Sequence, residues 1–176
     1  MVEKRMERPT ALIVCVSEHH GNTHRVANAM AKVLGADVVE PEIVDLDELR
    51  RFDLVGFGSG IYFGVVHPRL GELIDRLPPG DGQRAFTFST SGMFLLPWLG
   101  TADIRHRLGG RHYEVLGDFN CRGLDTVGPL RFIGGVNRGH PDASDLERAT
   151  AFAHDMHHRA KSQPKTRARI GGLRQP

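Results

Sequence analysis

The segment ALIVCV, Ala11–Val16, constrains the fold of this chain more than any other. Six successive apolar residues leave no face to give to water. Such a run suits a strand covered on both sides, the usual state of a strand in a parallel sheet. A parallel neighbour requires a crossover, and the sequence supplies one directly. From Asn22 to Leu34, residues Val26, Ala27, Met30, Ala31, Val33 and Leu34 fall on one helical stripe, and Gly35 stops it. The joint between strand and helix, Ser17-Glu18-His19-His20-Gly21-Asn22-Thr23, is polar or Gly throughout.

The same alternation continues. Residues 37–45 read as a second, more polar strand broken by Pro41, which suits a sheet edge. Leu46, Leu49 and Phe52 mark a short helix. Residues 54–57 form a third strand, and 68–77 a helix stopped by Pro78-Pro79-Gly80. Residues 85–89 and 113–119 give the fourth and fifth strands, with a helix over 101–108 between them. A last helix starts at a Ser144-to-Glu147 capping box and runs to about residue 160. Five strands with intervening helices imply an α/β fold, an open five-stranded parallel sheet with right-handed crossovers and helices on both faces. In such sheets ligands bind beyond the carboxyl ends of the strands.

The joint after the first strand fits an anion. A helix N-terminus offers free backbone N–H groups and partial positive charge. Gly21 allows close approach, Ser17, Asn22 and Thr23 add side-chain hydrogen bonds, and His19 or His20 adds a donor. A plain cap by Asn22 or Thr23 would need fewer polar residues. With no Lys in the loop, one terminal phosphate fits better than a chain of them. The loop matches neither G-x-G-x-x-G nor G-x-x-x-x-G-K-[ST], which removes the main support for a dinucleotide site or a P-loop nucleoside triphosphatase.

After the third strand, residues 58–64 (GSGIYFG) place Ser59 and Gly60 before Ile61, Tyr62 and Phe63. Aromatic rings there either cover a flat ligand or plug the loop onto the core. After the fourth strand, Thr90, Ser91, Gly92 and Met93 either offer backbone groups to a heterocycle edge or make an ordinary turn. Residues 120–142 are long for a connection and carry Arg122, Arg131 and Arg138, with Leu130, Phe132, Ile133 and Val136 arguing for order. Cys121 is either a redox thiol or a bystander, and Cys15 belongs to the core.

Composition excludes several classes. The apolar run is too short to span a bilayer, and no small-residue cleavage site follows it. Two cysteines make no disulfide framework, and a reducing cytoplasm is the default compartment. No G-x-S-x-G elbow supports a serine hydrolase. The ten histidines include no H-E-x-x-H, so no functional metal is expected. The 176 residues carry a net charge of +2. Residues 1–9 read as a flexible leader and 161–176, with five Lys/Arg and no acid, as a basic disordered tail. The body between them, 10–160, has 15 basic and 19 acidic residues, a net of −4.

The strand–Ser17…Gly21-Asn22-Thr23–helix unit, the loop Gly58-Ser59-Gly60-Ile61-Tyr62 and the stretch Ser89-Thr90-Ser91-Gly92 together resemble the flavodoxin family. Its phosphate loop has the form [ST]-x-T-G-x-T. Here the loop is one residue longer, with His20 in the place before Gly. The resemblance spans residues 10–160 and implies a strand order 2-1-3-4-5 and bound FMN. Ser17, His19, His20, Gly21, Asn22 and Thr23 would hold the phosphate. Ser59, Gly60, Ile61, Tyr62 and Phe63 would lie along the isoalloxazine, and Thr90, Ser91, Gly92 and Met93 would meet its edge. The stretch GSGIYFGVVH is also similar to flavodoxin-like protoporphyrinogen oxidases, in which FMN oxidises a porphyrinogen and passes electrons to a quinone.

Three functions follow. The first is an FMN-binding redox protein serving a redox partner protein. The second is an FMN-dependent oxidoreductase acting on a small planar substrate, a quinone or porphyrinogen, near Tyr62, His67 and the 120–140 loop. The third is a non-redox binding module that retains the fold. None calls for specific nucleic-acid binding or a transmembrane segment, and each leaves room for a homodimer.

Overall fold

A computed structural model describes residues 10–18, 21–62, 65–92, 98–124 and 137–162. The strands are β1 (Ala11–Val16), β2 (Asp37–Val39), β3 (Leu54–Tyr62), β4 (Val65–Val66), β5 (Arg84–Ser91) and β6 (Glu114–Arg122). The helices are α1 (Asn22–Leu34), α2 (Pro68–Arg76), α3 (Trp98–Gly110) and α4 (Ala143–Ser162). Two 3₁₀ turns, Pro41–Ile43 and Glu48–Arg51, connect β2 to β3.

The sheet runs β2-β1-β3-β5-β6, with every one of these neighbours parallel. This is the expected 2-1-3-4-5 order once the five parallel strands are counted along the chain. The short β4 adds an antiparallel flap on β3, pairing Ile61 with Val66 and Tyr62 with Val65. The chain leaves β1 toward β2 and then reverses to the other side of β1. The gap between the carboxyl ends of β1 and β3 is therefore the switch point of the sheet.

All six residues of β1 are buried, and alternate ones serve opposite faces. Ile13 and Cys15 join Val26, Ala27, Met30, Phe86, Phe88, Ala149, Ala153 and Met156 in the layer under α1 and α4. Leu12, Val14 and Val16 join Phe57, Leu70, Leu73, Ile74, Ile104 and Leu108 under α2 and α3. The apolar run of β1 is thus explained by two cores sharing one strand.

Four local expectations are corrected. Residues 58–62 continue β3 rather than forming a loop, because neighbouring strands pair with them: Gly58 with Cys15 and Phe88, Ser59 with Val16 and Ser89, Gly60 and Ile61 with Thr90 and Ser91, and Tyr62 with Val65. The glycines that look like loop residues make room for rings. A Cβ on Gly56 would sit 2.3 Å from Phe86, and one on Gly58 would sit 2.0 Å from Phe88. The second strand ends at Val39, since Pro41, with its φ fixed and no N–H to donate, opens a 3₁₀ turn instead. The box at the start of α4 uses Asp142 and Asp145 rather than Ser144 and Glu147. The Asp145 N–H donates to Asp142 Oδ1 at 2.9 Å, and the Asp142 N–H to Asp145 Oδ2 at 3.1 Å. Finally, α4 continues through Ser162, so Lys161 and Ser162 belong to the helix and not to a tail. Residues 1–9 and 163–176 lie outside the described residues.

A β-bulge in β6 has consequences at the site. Ala85 pairs with Val115, but Thr87 pairs with Asp118. The extra residue reverses the alternation of β6. Val115 packs under α2 and α3, and Leu116 on the opposite layer, yet Phe119 again faces α1 and α4. Asp118 and Asn120 consequently share a face with Thr87 and Ser89, which donate to them at 2.7 Å and 2.5 Å. Arg105 of α3 closes on Asp118 at 2.6 Å, and Asn120 donates to Thr101 at 3.3 Å. A polar seam therefore seats α3 on the sheet.

Candidate functional site

At the carboxyl end of β1 the backbone turns into α1 through Gly21, which has φ +64°. Only a residue without a Cβ adopts this conformation without strain. The helix has no side-chain cap, and the first backbone bond is from Arg25 N–H to Gly21 C=O at 3.0 Å. The N–H groups of the first turn are then left for another acceptor. At the end of β1 the Ser17 hydroxyl oxygen is buried without a hydrogen-bond partner among the described residues. A buried hydroxyl without a partner is costly, unless an occupant of the site supplies one.

Asn22 and Thr23 take a different part from the one expected of them. Asn22 is buried and donates its side-chain amide to the Leu124 carbonyl at 2.8 Å. Thr23 and Thr90 share a hydrogen bond of 2.8 Å between their hydroxyls. These bonds fasten the start of α1 to the ends of β5 and β6. Gly123 N–H donates to the Ser91 carbonyl at 3.1 Å, and Leu124 N–H to the His140 carbonyl at 3.1 Å. The Asn137 amide donates to the carbonyls of Gly92 and Gly123 at 3.0 and 3.3 Å. The two described ends of the long connection after β6 thus meet over β5.

The other side of the switch point is held by His67. Its Nε2 lies 3.0 Å from a carboxylate oxygen of Glu18, in the loop after β1. Its Nδ1 accepts from the Arg69 N–H at 3.3 Å and so caps α2. Its own N–H donates to Ser59 Oγ at 3.1 Å, and the Ser59 hydroxyl donates to the Gly60 carbonyl at 2.6 Å. Arg69 in turn binds Glu40 at 2.6 Å and Glu42, tying the turn after β2 to α2. Hydrogen bonding from Arg69 holds the Glu42 carboxyl down at about 2.

Cys15 and Cys121 are both buried and free. Burial first, and then the nearby Glu40 carboxylate, pushes the Cys15 thiol up to about 12. Burial first, and then Asp145, does the same to Cys121, also to about 12. A thiol held protonated is a poor nucleophile. The bystander reading of Cys121 is the one its surroundings favour. His140, Asp142 and Asp145 cluster within 4.8 Å at the start of α4, but Asp145 is already engaged by His140 at 2.6 Å and Arg148 at 2.5 Å. Burial alone would raise the Asp145 carboxyl; the bonds from His140, Arg148 and the Asp142 backbone outweigh it and hold the group below the usual carboxylate range.

Of the residues selected from sequence, Ser17, Gly21, Asn22 and Thr23 gather at the end of β1, and Ser59, Gly60 and Ile61 lie beside them on β3. Thr90 and Ser91 pair with Gly60 and Ile61, and Gly92 follows. Tyr62 takes its backbone place opposite Val65. His19, His20, Phe63 and Met93 lie outside the described residues. The sequence reading left out Glu18, Asn120, Leu124 and Asn137. Asn137 stands at φ 55°, a left-handed conformation in which Asn is enriched among non-Gly residues. For an FMN phosphate the residues present are a fit: a helix start without a side-chain cap, a glycine turn and a buried hydroxyl unpartnered among the described residues lie in the joint after β1.

The comparisons with known proteins agree with this geometry. Residues 13–93 match the model of a flavodoxin domain family. An uncharacterised protein of Methanocaldococcus jannaschii is 38% identical over 143 residues, covering 81% of this chain and 95% of that protein. Among solved structures, a flavodoxin from the domain Archaea superposes with a TM-score of 0.67 at 17% identity, over 86% of this chain and 99% of that one. A Streptococcus pneumoniae flavodoxin gives 0.65 at 18%, over 85% and 99%. Similarity at that level of identity speaks for the fold, while the family model covers the last four residues of β1, the glycine turn, β3 and β5. With the sheet order, the switch point and the sequence match in accord, the chain belongs to the flavodoxin-like family.

Proposed function

We propose that this chain binds FMN at the β1–β3 switch point and serves as a flavodoxin-like redox protein. The observation that carries the reading is the Ser17 hydroxyl, buried and without a hydrogen-bond partner among the described residues, in the joint that leads into the N-terminus of α1. An FMN phosphate would receive the first-turn N–H groups and the Ser17 hydroxyl. Ser59, Gly60 and Ile61 on β3, with Thr90, Ser91 and Gly92 across from them, would border the ring. Bound FMN supplies reversible electron transfer; the chain binds it, orients it and controls what reaches it. Two free thiols accord with a reducing cytoplasmic compartment.

A visible spectrum of the purified protein followed through reductive titration tests this. A flavin spectrum that bleaches on reduction and returns with oxidant supports the reading; a colourless chain that stays so after incubation with FMN refutes it. One observation favours a second reading, in which the chain itself turns over a quinone or porphyrinogen. Exposed Arg122 pairs in register with Ser91 at the rim of the site, where a guanidinium can meet a substrate carboxylate. Turnover of such a substrate without a protein partner would favour the oxidoreductase over the carrier.

A further inference from the structure

Glu18 is the one acid in the segment 17–23, beside a helix N-terminus read here as a phosphate site. A carboxylate there is itself an anion drawn to the N-terminal charge, and it repels a second anion. Its carboxylate, however, is engaged by His67 Nε2 at 3.0 Å across 49 residues of chain. The His67 ring is only 13% exposed. Because Nδ1 accepts from the Arg69 N–H, the proton of the neutral ring is placed on Nε2 and directed at Glu18. The backbone of His67 is fixed as well, through Ser59. Glu18 thus meets a rigid donor whose orientation is set by two other elements. As a stabilising ion pair this arrangement is weak, since Glu18 is 43% exposed.

We propose that His67 is a positioning residue for anion binding: it draws the Glu18 carboxylate to itself, leaving the start of α1 to a phosphate, while joining Glu18 to β3. The inference rests on the FMN reading for the identity of the phosphate, but the clasp itself needs only a phosphate monoester. It ties the phosphate end of the site to Ser59 at the ring end, the side chain of His67 meeting Glu18 and its backbone N–H meeting Ser59, so one residue registers both.

The test compares wild type, H67N, E18Q and H67N/E18Q. Asn is a good helix cap, so H67N keeps the start of α2 while being too short to hold Glu18. FMN and riboflavin, which differ by the phosphate, are titrated into each flavin-free protein, and the rise in Tm with inorganic phosphate is measured beside them. The expected result is a loss of FMN affinity in H67N of roughly tenfold, about the effect of one charge-assisted hydrogen bond. Riboflavin affinity stays unchanged, and H67N/E18Q recovers most of the loss because the competing carboxylate is gone. The proposal is overturned if H67N binds FMN like wild type, if FMN and riboflavin weaken together, or if E18Q does not restore binding. If wild type binds neither flavin while phosphate raises its Tm, and H67N abolishes that rise, the clasp stands and the FMN reading falls.

Discussion

Gly58 shows how one residue can be read in two ways. In sequence, GSG between apolar segments signals a loop. In the fold it is the floor on which the Phe88 ring rests, and a methyl group there would overlap ring carbons. Replacing Gly58 by Ala should therefore destabilise the protein by about 1–3 kcal/mol through overpacking, read as a lower urea midpoint. A neutral substitution would show that the ring is free to move. The distinction was invisible in the sequence because it depends on β5, thirty residues away, placing two phenylalanines against β3. Cys15 was legible, lying inside a run that had to be buried. Cys121 was not, since its cover comes from the last helix. Both thiols should resist alkylation at pH 8 in the native state and react fully in denaturant; rapid native labelling of Cys121 would reopen a redox role for it.

At the scale of elements, α1 was read to its residue bounds because stripe, glycine turn and glycine stop agree. The far end of β3 and the start of α4 were not, because each is decided by partners rather than by local pattern. The Asp142–Asp145 box is one such partnership, and Asp145 adds bonds from His140 and Arg148. Substituting Asp145 by Asn should cost about 1–3 kcal/mol, the effect of a lost cap and a lost charged bond. Since the native carboxyl is held below its ordinary value, its contribution is fully present above the usual carboxylate range and is lost as the pH falls through and below it. The stability gap between wild type and D145N, measured by chemical unfolding, should accordingly narrow in acid. A gap that is constant down to the acid limit would mean the charge contributes nothing. The bulge in β6 had no sequence signature that distinguishes it from ordinary strand, yet it decides which face Asp118 and Asn120 occupy.

For the whole molecule, the parallel sheet and the edge that carries the site follow from one apolar run, its polar joint and the alternation behind it, while the strand order is what the resemblance to the flavodoxin family implied. The side-chain bonds across that edge did not, because Asn22–Leu124, Thr23–Thr90 and Glu18–His67 join positions far apart in sequence. The charge also separates by region: the net +2 combines a mildly acidic body with basic residues near the C-terminus. Since α4 runs through Ser162 and the Ala160 carbonyl accepts a bond from buried Arg84, removing residues 163–176 should leave FMN affinity unchanged. A large loss would assign those residues to the site. The central claim, that the corner between β1 and β3 is a flavin mononucleotide site, is tested most directly by equilibrium titration of the purified, flavin-free chain with FMN beside riboflavin. The account predicts one FMN per chain, bound markedly more tightly than riboflavin. Equal affinity for the two, or no binding of either, would contradict it.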